Sequence, residues 1–130
     1  MTLLDTHIWV WWALGDAALG GRTEWLDFQP TDSLGVSVFS IWEIAKLVQK
    51  GRLKLPFDVP TWIDKALTET AVEVLPISKH IAIDANNLPE AFHQDPADQI
   101  IVATARALNC ELLTVDGRIL QYPHVKTITV

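Results

Sequence analysis

Short apolar runs alternate along this chain with longer stretches whose apolar residues recur every three or four positions. The first pattern predicts strands and the second amphipathic helices. Thr2 to Leu4 opens as a strand that Asp5 ends, and Asp5-Thr6 then caps a helix running through Ile8, Trp9, Val10, Trp11 and Trp12 to Gly15. That helix is apolar nearly all round, which calls for cover on both sides. Gly20-Gly21 leads into a helix from Arg22 to Phe28, and Leu34 to Val38 reads as the second strand. Ser40 starts a strong helix, SIWEIAKLVQKG, in which Ser40 and Glu43 fit a capping box and Gly51 stands at the C-terminal stop. Pro56 and Pro60 bracket a loop before an amphipathic helix from Thr61 to Thr70. A strand from Val72 to Pro76 follows, then a helix from Lys79 to Asn87 capped by Ser78. The clearest helix is DPADQIIVATARALN, Asp95 to Asn109, with Asp95 at the N-cap and Pro96 at the first helical position. Glu111 to Val115, a turn of helix from Arg118 to Gln121, and a closing strand from Val125 to Val130 complete the chain.

Strands alternating with helices from end to end predict an α/β fold: three layers, α/β/α, around a mostly parallel central sheet. A length of 130 residues without a linker, repeat or low-complexity tract makes residues 1–130 one domain.

Composition narrows the function. The formal charge is −6, which argues against a protein that grips nucleic acid through overall positive potential. It leaves a nuclease open, because clustered acids lower the count and bound cations restore the local charge. The single cysteine, Cys110, reads as a small core residue in a reducing compartment. The longest apolar run, Ile8 to Leu14, is too short to span a bilayer and the N-terminus lacks a signal-peptide layout, so no membrane and a cytoplasmic location are expected.

The candidate chemistry lies in acids. In a parallel sheet, the carboxyl ends of strands and the amino ends of the following helices share one edge, where ligands bind. Asp5 follows the first strand and Asp116 the fourth, while Glu43 and Asp98 fall on the first turns of predicted helices. Each has an ordinary explanation as a cap or turn residue; Asp98 completes something close to a capping box with Asp95. One shared cause is more economical than four separate ones. Carboxylates this close repel one another unless a cation neutralises them, and hard oxygen donors select Mg²⁺ or Mn²⁺. His7, His80, His93 and His124 are scattered and form no zinc set. Divalent metal on an acidic cluster is an apparatus for phosphodiester hydrolysis.

The segments LLDTHIWVWW, SVFSIWEIAKLVQKGRL, LPEAFHQDPADQIIVATA and LLTVDGRI together resemble the PIN domain, and within it the VapC toxins of bacterial and archaeal toxin–antitoxin pairs. The resemblance covers essentially the whole chain. It implies a Mg²⁺- or Mn²⁺-dependent endoribonuclease that cuts RNA and inhibits translation when freed from its VapB-type antitoxin. Residue by residue, the acidic quartet falls on Asp5, Glu43, Asp98 and Asp116, with Ser37, Thr114 and Thr6 as small hydroxyl residues supporting it. On that basis Asp5 and Asp98 hold the principal metal, Asp116 completes the site or binds a second ion, and Glu43 orients or deprotonates the attacking water. A homodimer, and an antitoxin laid across the active-site groove, are likewise implied. The chain departs from the family at Ala97, where an aromatic often sits, and at Gln99, where arginine is common.

Other residues carry weaker signals. Lys46, Lys50, Arg52 and Lys54 form the one positive patch, read as a solvated face that is also able to steer a phosphate backbone. Trp9, Trp11, Trp12 and Trp42 read as core and interface rather than a base-stacking platform. His93, just upstream of the clearest helix, is within reach of a substrate, and Arg106 and Arg118 are candidates to contact RNA phosphates or an antitoxin's acidic tail, but all three read first as solvated surface residues and stay outside the catalytic set. Two rival functions remain: a metal-dependent phosphatase with Asp5 as nucleophile, and a PIN-like scaffold that binds RNA or protein without cutting. His7, two residues beyond Asp5, stands where the phosphatase pattern wants a second acid, and the four acids are the residues an inert scaffold would have lost.

Overall fold

In the computed structural model, residues 1–15, 19, 23–30 and 32–130 are described. Their order is β1 (Thr2–Leu4), α1 (Thr6–Leu14), α2 (Glu24–Asp27), β2 (Leu34–Ser37), α3 (Val38–Gln49), α4 (Val59–Thr70), β3 (Glu73–Leu75), α5 (Lys79–Asp84), α6 (Pro96–Leu108), β4 (Glu111–Leu113), α7 (Gly117–Leu120) and β5 (Thr127–Ile128). The five strands form one sheet in the order β3-β2-β1-β4-β5. Every pairing is parallel, with Leu3 opposite Gly35 on one side and Leu112 on the other.

Successive residues of a strand face opposite ways, and here that divides the core in two. Leu4 and Leu113 point into a cluster with Ile8, Trp9, Ile44, Trp62 and Ile63 from α1, α3 and α4. Leu3 and Leu112 point the other way, onto Ile101, Val102 and Ala105 of α6. The sheet is thus covered on both faces, and the three-layer α/β/α architecture follows from apolar runs with no polar side.

Chain punctuation sets most of the boundaries. Gly15 ends α1 at φ 66° and Gly51 follows α3 at φ 70°, left-handed conformations that cost glycine nothing. Several expected boundaries shift. The predicted strand to Val38 ends at Ser37, and α3 starts at Val38 rather than Ser40. Ser37 is its cap, its hydroxyl accepting from the Phe39 N–H at 3.0 Å, while Ser40 is buried inside the helix. Glu43 therefore sits on the second turn of α3. Helix α4 begins at Val59 with Pro60 in its first turn, where the missing N–H is harmless. Helix α5 stops at Asp84, and β5 has only two residues. The expected helix from Arg22 is a short one, Glu24–Asp27; Gly20, Gly21 and Arg22 lie outside the described residues. Among the described residues no helix is long and apolar enough to cross a membrane.

Candidate active site

The carboxyl edge of the central strands carries an open cleft of about 340 Å³, lined by Asp5, His7, Trp11, Glu43, Asp95, Asp98, Val115, Asp116 and Arg118. The four acids singled out from the sequence are all in its wall. They come from the ends of β1 and β4 and from α3 and α6, so parallel pairing gathers residues more than a hundred positions apart.

Asp5 is the most tightly held. It caps α1, with Oδ1 accepting from the Thr6 N–H at 2.8 Å, and Oδ2 accepts from the Thr114 hydroxyl at 2.7 Å. Only 7 % of it is exposed, and burial pushes its carboxyl up from the ordinary aspartate value against the pull of those hydrogen bonds. Thr114 serves a second acid as well: its hydroxyl accepts from the Asp116 N–H at 3.0 Å. Asp116 caps α7 through the Arg118 N–H at 2.8 Å. Burial acts upward on Asp116, but hydrogen bonds and the charge of Arg118 outweigh it and hold the carboxyl below its usual range. Thr6 is fully buried and its hydroxyl lies 2.8 Å from that of Ser40, tying α1 to α3. Glu43 is raised, chiefly by burial, with the Thr6 hydroxyl and His7 acting the other way.

Asp98 lies at the centre of the electrostatic conflict. Asp95 Oδ1 accepts its backbone N–H at 3.1 Å, as a capping box requires, yet the Asp98 side chain itself points into the cleft. Burial first, and then the charges of Asp5, Asp95, Asp116 and Glu43, push its carboxyl up to about 7. Two groups that the sequence reading left on the surface meet it. His93 Nε2 stands 3.0 Å from Asp98 Oδ2, and Arg118 reaches within 3.7 Å of the same oxygen and 3.5 Å of Asp116 Oδ2. The His93 Nδ1 accepts from the Asp95 N–H at 3.4 Å, whereas Nε2, buried beside Asp98, makes no hydrogen bond among the described residues. Burial and the nearby Arg118 hold His93 below the usual histidine range. Arg118 has a sequence signal in its place two residues after Asp116; His93 has none, because only the fold of the loop before α6 brings it in. Arg106 lies elsewhere, bound to Asp84 at 3.2 Å and to the His124 carbonyl at 2.8 Å. As the side chains stand, no group of three or more His, Cys, Asp or Glu among the described residues is arranged to hold a metal ion.

The family pattern that residues 2–125 match is the PIN domain. The chain belongs to that family. Within it, this PIN domain is of the VapC type: it is 31 % identical over 128 residues to ribonuclease VapC22 of Mycobacterium tuberculosis, spanning 98 % of this chain and 96 % of that protein. Solved structures share the fold across nearly the full length. VapBC2 of Rickettsia felis, bound to a DNA fragment from its promoter, superposes with a TM-score of 0.73 at 18 % identity, covering 99 % of this PIN domain and 98 % of that chain. FitAcB of Neisseria gonorrhoeae gives 0.72 at 20 % identity, covering 98 % and 96 %.

Proposed function

We propose that this PIN domain is a Mg²⁺- or Mn²⁺-dependent endoribonuclease, the toxin of a toxin–antitoxin pair, acting in the cytoplasm on RNA and silenced by a VapB-type antitoxin. The observation that carries the reading is the convergence of Asp5, Glu43, Asp98 and Asp116 on one cleft. The name of the Mycobacterium tuberculosis relative as a ribonuclease supports the activity, and a toxin–antitoxin complex from Klebsiella pneumoniae among the structural relatives supports the partner.

The donor set fits a hard divalent cation: carboxylates supported by hydroxyls, with the lone cysteine buried away from them. The raised Asp98 carboxyl is what mutual repulsion produces before a cation is present. Asp5, Asp98 and Asp116 would hold the ion, with Asp98 released from His93 and Arg118. When bound, the ion supplies the Lewis acid that activates water at neutral pH and neutralises charge on the scissile phosphate. Glu43, raised by burial, is suited to take a proton from the attacking water. Thr114 fixes the Asp5 carboxylate in place, and Arg118 is placed to bind a phosphate oxygen once it leaves Asp98.

The test is RNA cleavage by wild-type, Asp98→Asn and Glu43→Gln proteins under matched metal conditions, with Mn²⁺ binding followed by calorimetry. Asp98→Asn should lose both cleavage and the saturable Mn²⁺ site, and Glu43→Gln should slow cleavage about a hundredfold or more while still binding Mn²⁺. Wild-type rates from either variant would refute the assignment.

A further inference from the structure

Beside the acidic cleft, and sharing Glu43 and Asp95 with it, runs a second groove of about 350 Å³ along α3. Its wall is unlike the rest of this acidic protein: Phe39, Trp42, Lys46, Lys50 and Arg52. Trp42 is 54 % exposed, although a side chain of that size ordinarily finds cover. It stacks on Phe39 with ring centroids 4.9 Å apart and planes 22° apart, and the Lys46 ammonium stands 5.5 Å from its ring centre. Meanwhile Ser40 and Ile44 turn inward, so this aromatic and basic stripe is the outer face of α3. Trp9 and Trp62 are core residues, whereas Trp42 lies on the surface.

We propose that this groove binds an unpaired nucleotide of the RNA strand entering the cleft, its base stacked on Trp42 and its phosphates met by Lys46, Lys50 and Arg52. This rests on the nuclease reading and adds to it a subsite on the α3 side, where the strand flanking the cut is held. Three physical features agree. Aromatic faces beside cations are how sequence-tolerant single-strand sites are built. The groove's three cations outnumber its two acids and complement a phosphate backbone in a molecule whose net charge of −6 otherwise repels one. Stacking a base is also worth more than the exposed cation–π contact it would displace, and Lys46, which now donates to Gln49 at 2.8 Å, has further N–H donors to offer a phosphate.

The test uses a fluorescein-labelled single-stranded RNA in Mg²⁺ buffer, read by anisotropy in the slow Glu43→Gln background so that the strand stays intact, with RNA cleavage measured in parallel with Glu43 in place. Trp42→Ala should weaken binding about 5- to 150-fold, and Trp42→Phe should recover most of it. Lys50→Gln should lower the salt dependence of log K by about 0.7. A fully paired duplex of the same sequence should not distinguish wild type from Trp42→Ala. Thermal melting checks that these surface variants remain folded. Unchanged single-strand affinity in Trp42→Ala overturns the proposal, as does an equal effect on the duplex. So does a Trp42→Ala protein that binds and cuts normally but loses its antitoxin, because the groove then serves a protein. Trp42-dependent binding without any cleavage would keep the groove and refute the nuclease; cleavage with Trp42-independent binding would do the reverse.

Discussion

Thr114 shows how much a single buried hydroxyl carries in this site. It donates to Asp5 and accepts from the Asp116 N–H, joining two acids that would otherwise be placed independently. Thr114→Val keeps the shape and leaves both partners unpaired, so it should cost about 1–3 kcal/mol in urea denaturation, whereas Thr114→Ser should cost much less. Asp98 makes an opposite kind of prediction. Its carboxyl is raised to about 7 in the folded protein from an ordinary value of 3.8. Between those two pH values the unfolded chain binds fewer protons than the native one, so stability falls as pH rises through that window. In metal-free protein, Asp98→Asn should therefore melt higher than wild type above pH 7 and no higher below pH 4, even as it abolishes activity. A wild-type melting curve indifferent to pH over this range would contradict the crowding of charge. Asp5, Asp98 and Asp116 were legible in the sequence because each ends a strand or opens a helix; Glu43 was picked out from a capping-box match that the structure moves to the second turn of α3. His93 was not legible, since nothing local to it marks its approach to Asp98, and Arg118 was marked only by its place two residues after Asp116.

At the scale of elements, the informative case is the start of α3. The sequence offers serines at positions 37 and 40, and the match of Ser40 and Glu43 to a capping box favours the second. What decides for Ser37 is tertiary. Ser40 shares a helical face with the buried Ile44 and meets the Thr6 hydroxyl of α1, so it is used as a bolt between helices, not as a cap. Starting the helix at Val38 also carries Glu43 a turn deeper, to where its carboxylate reaches the cleft instead of folding back on its own N-terminus. A double-mutant cycle of Thr6→Val and Ser40→Ala should show a coupling of about 1 kcal/mol, because each hydroxyl is the other's buried partner. Ser37→Ala should cost about 1 kcal/mol independently, as loss of an N-cap does. If the two pairs behaved alike, with no Thr6–Ser40 coupling, the packing of α1 on α3 would need another explanation. The caps at Asp5, Ser78 and Asp95 were legible throughout, since their partners lie within three residues.

On the scale of the whole molecule, the parallel sheet turns sequence distance into proximity. The strand order β3-β2-β1-β4-β5 puts β1 and β4 side by side at the centre, so Asp5 and Asp116 share an edge though a long chain separates them. The order itself cannot be read from hydrophobic periodicity, which fixes what each segment is but not its neighbours. The same arrangement crowds charge: acids contributed by α3, α6 and the ends of the two central strands repel across the cleft, and a cation bound there, as proposed, would link four distant segments at once. Because the unfolded chain scatters those ligands, binding energy becomes folding energy. Mn²⁺ or Mg²⁺ should therefore raise the melting temperature of the entire domain in a concentration-dependent way, by an amount equivalent to about 2.7 kcal/mol at a hundred times the dissociation constant. Monovalent salt at equal ionic strength should give only the small gain of general screening. Asp98→Asn should lose the specific gain, and adding Asp5→Asn to it should cost little more, since residues that act as one unit do not contribute additively. A melting temperature that divalent ions fail to move would show that the four carboxylates tolerate one another without a cation, and the chemistry assigned to the cleft would lose its physical basis.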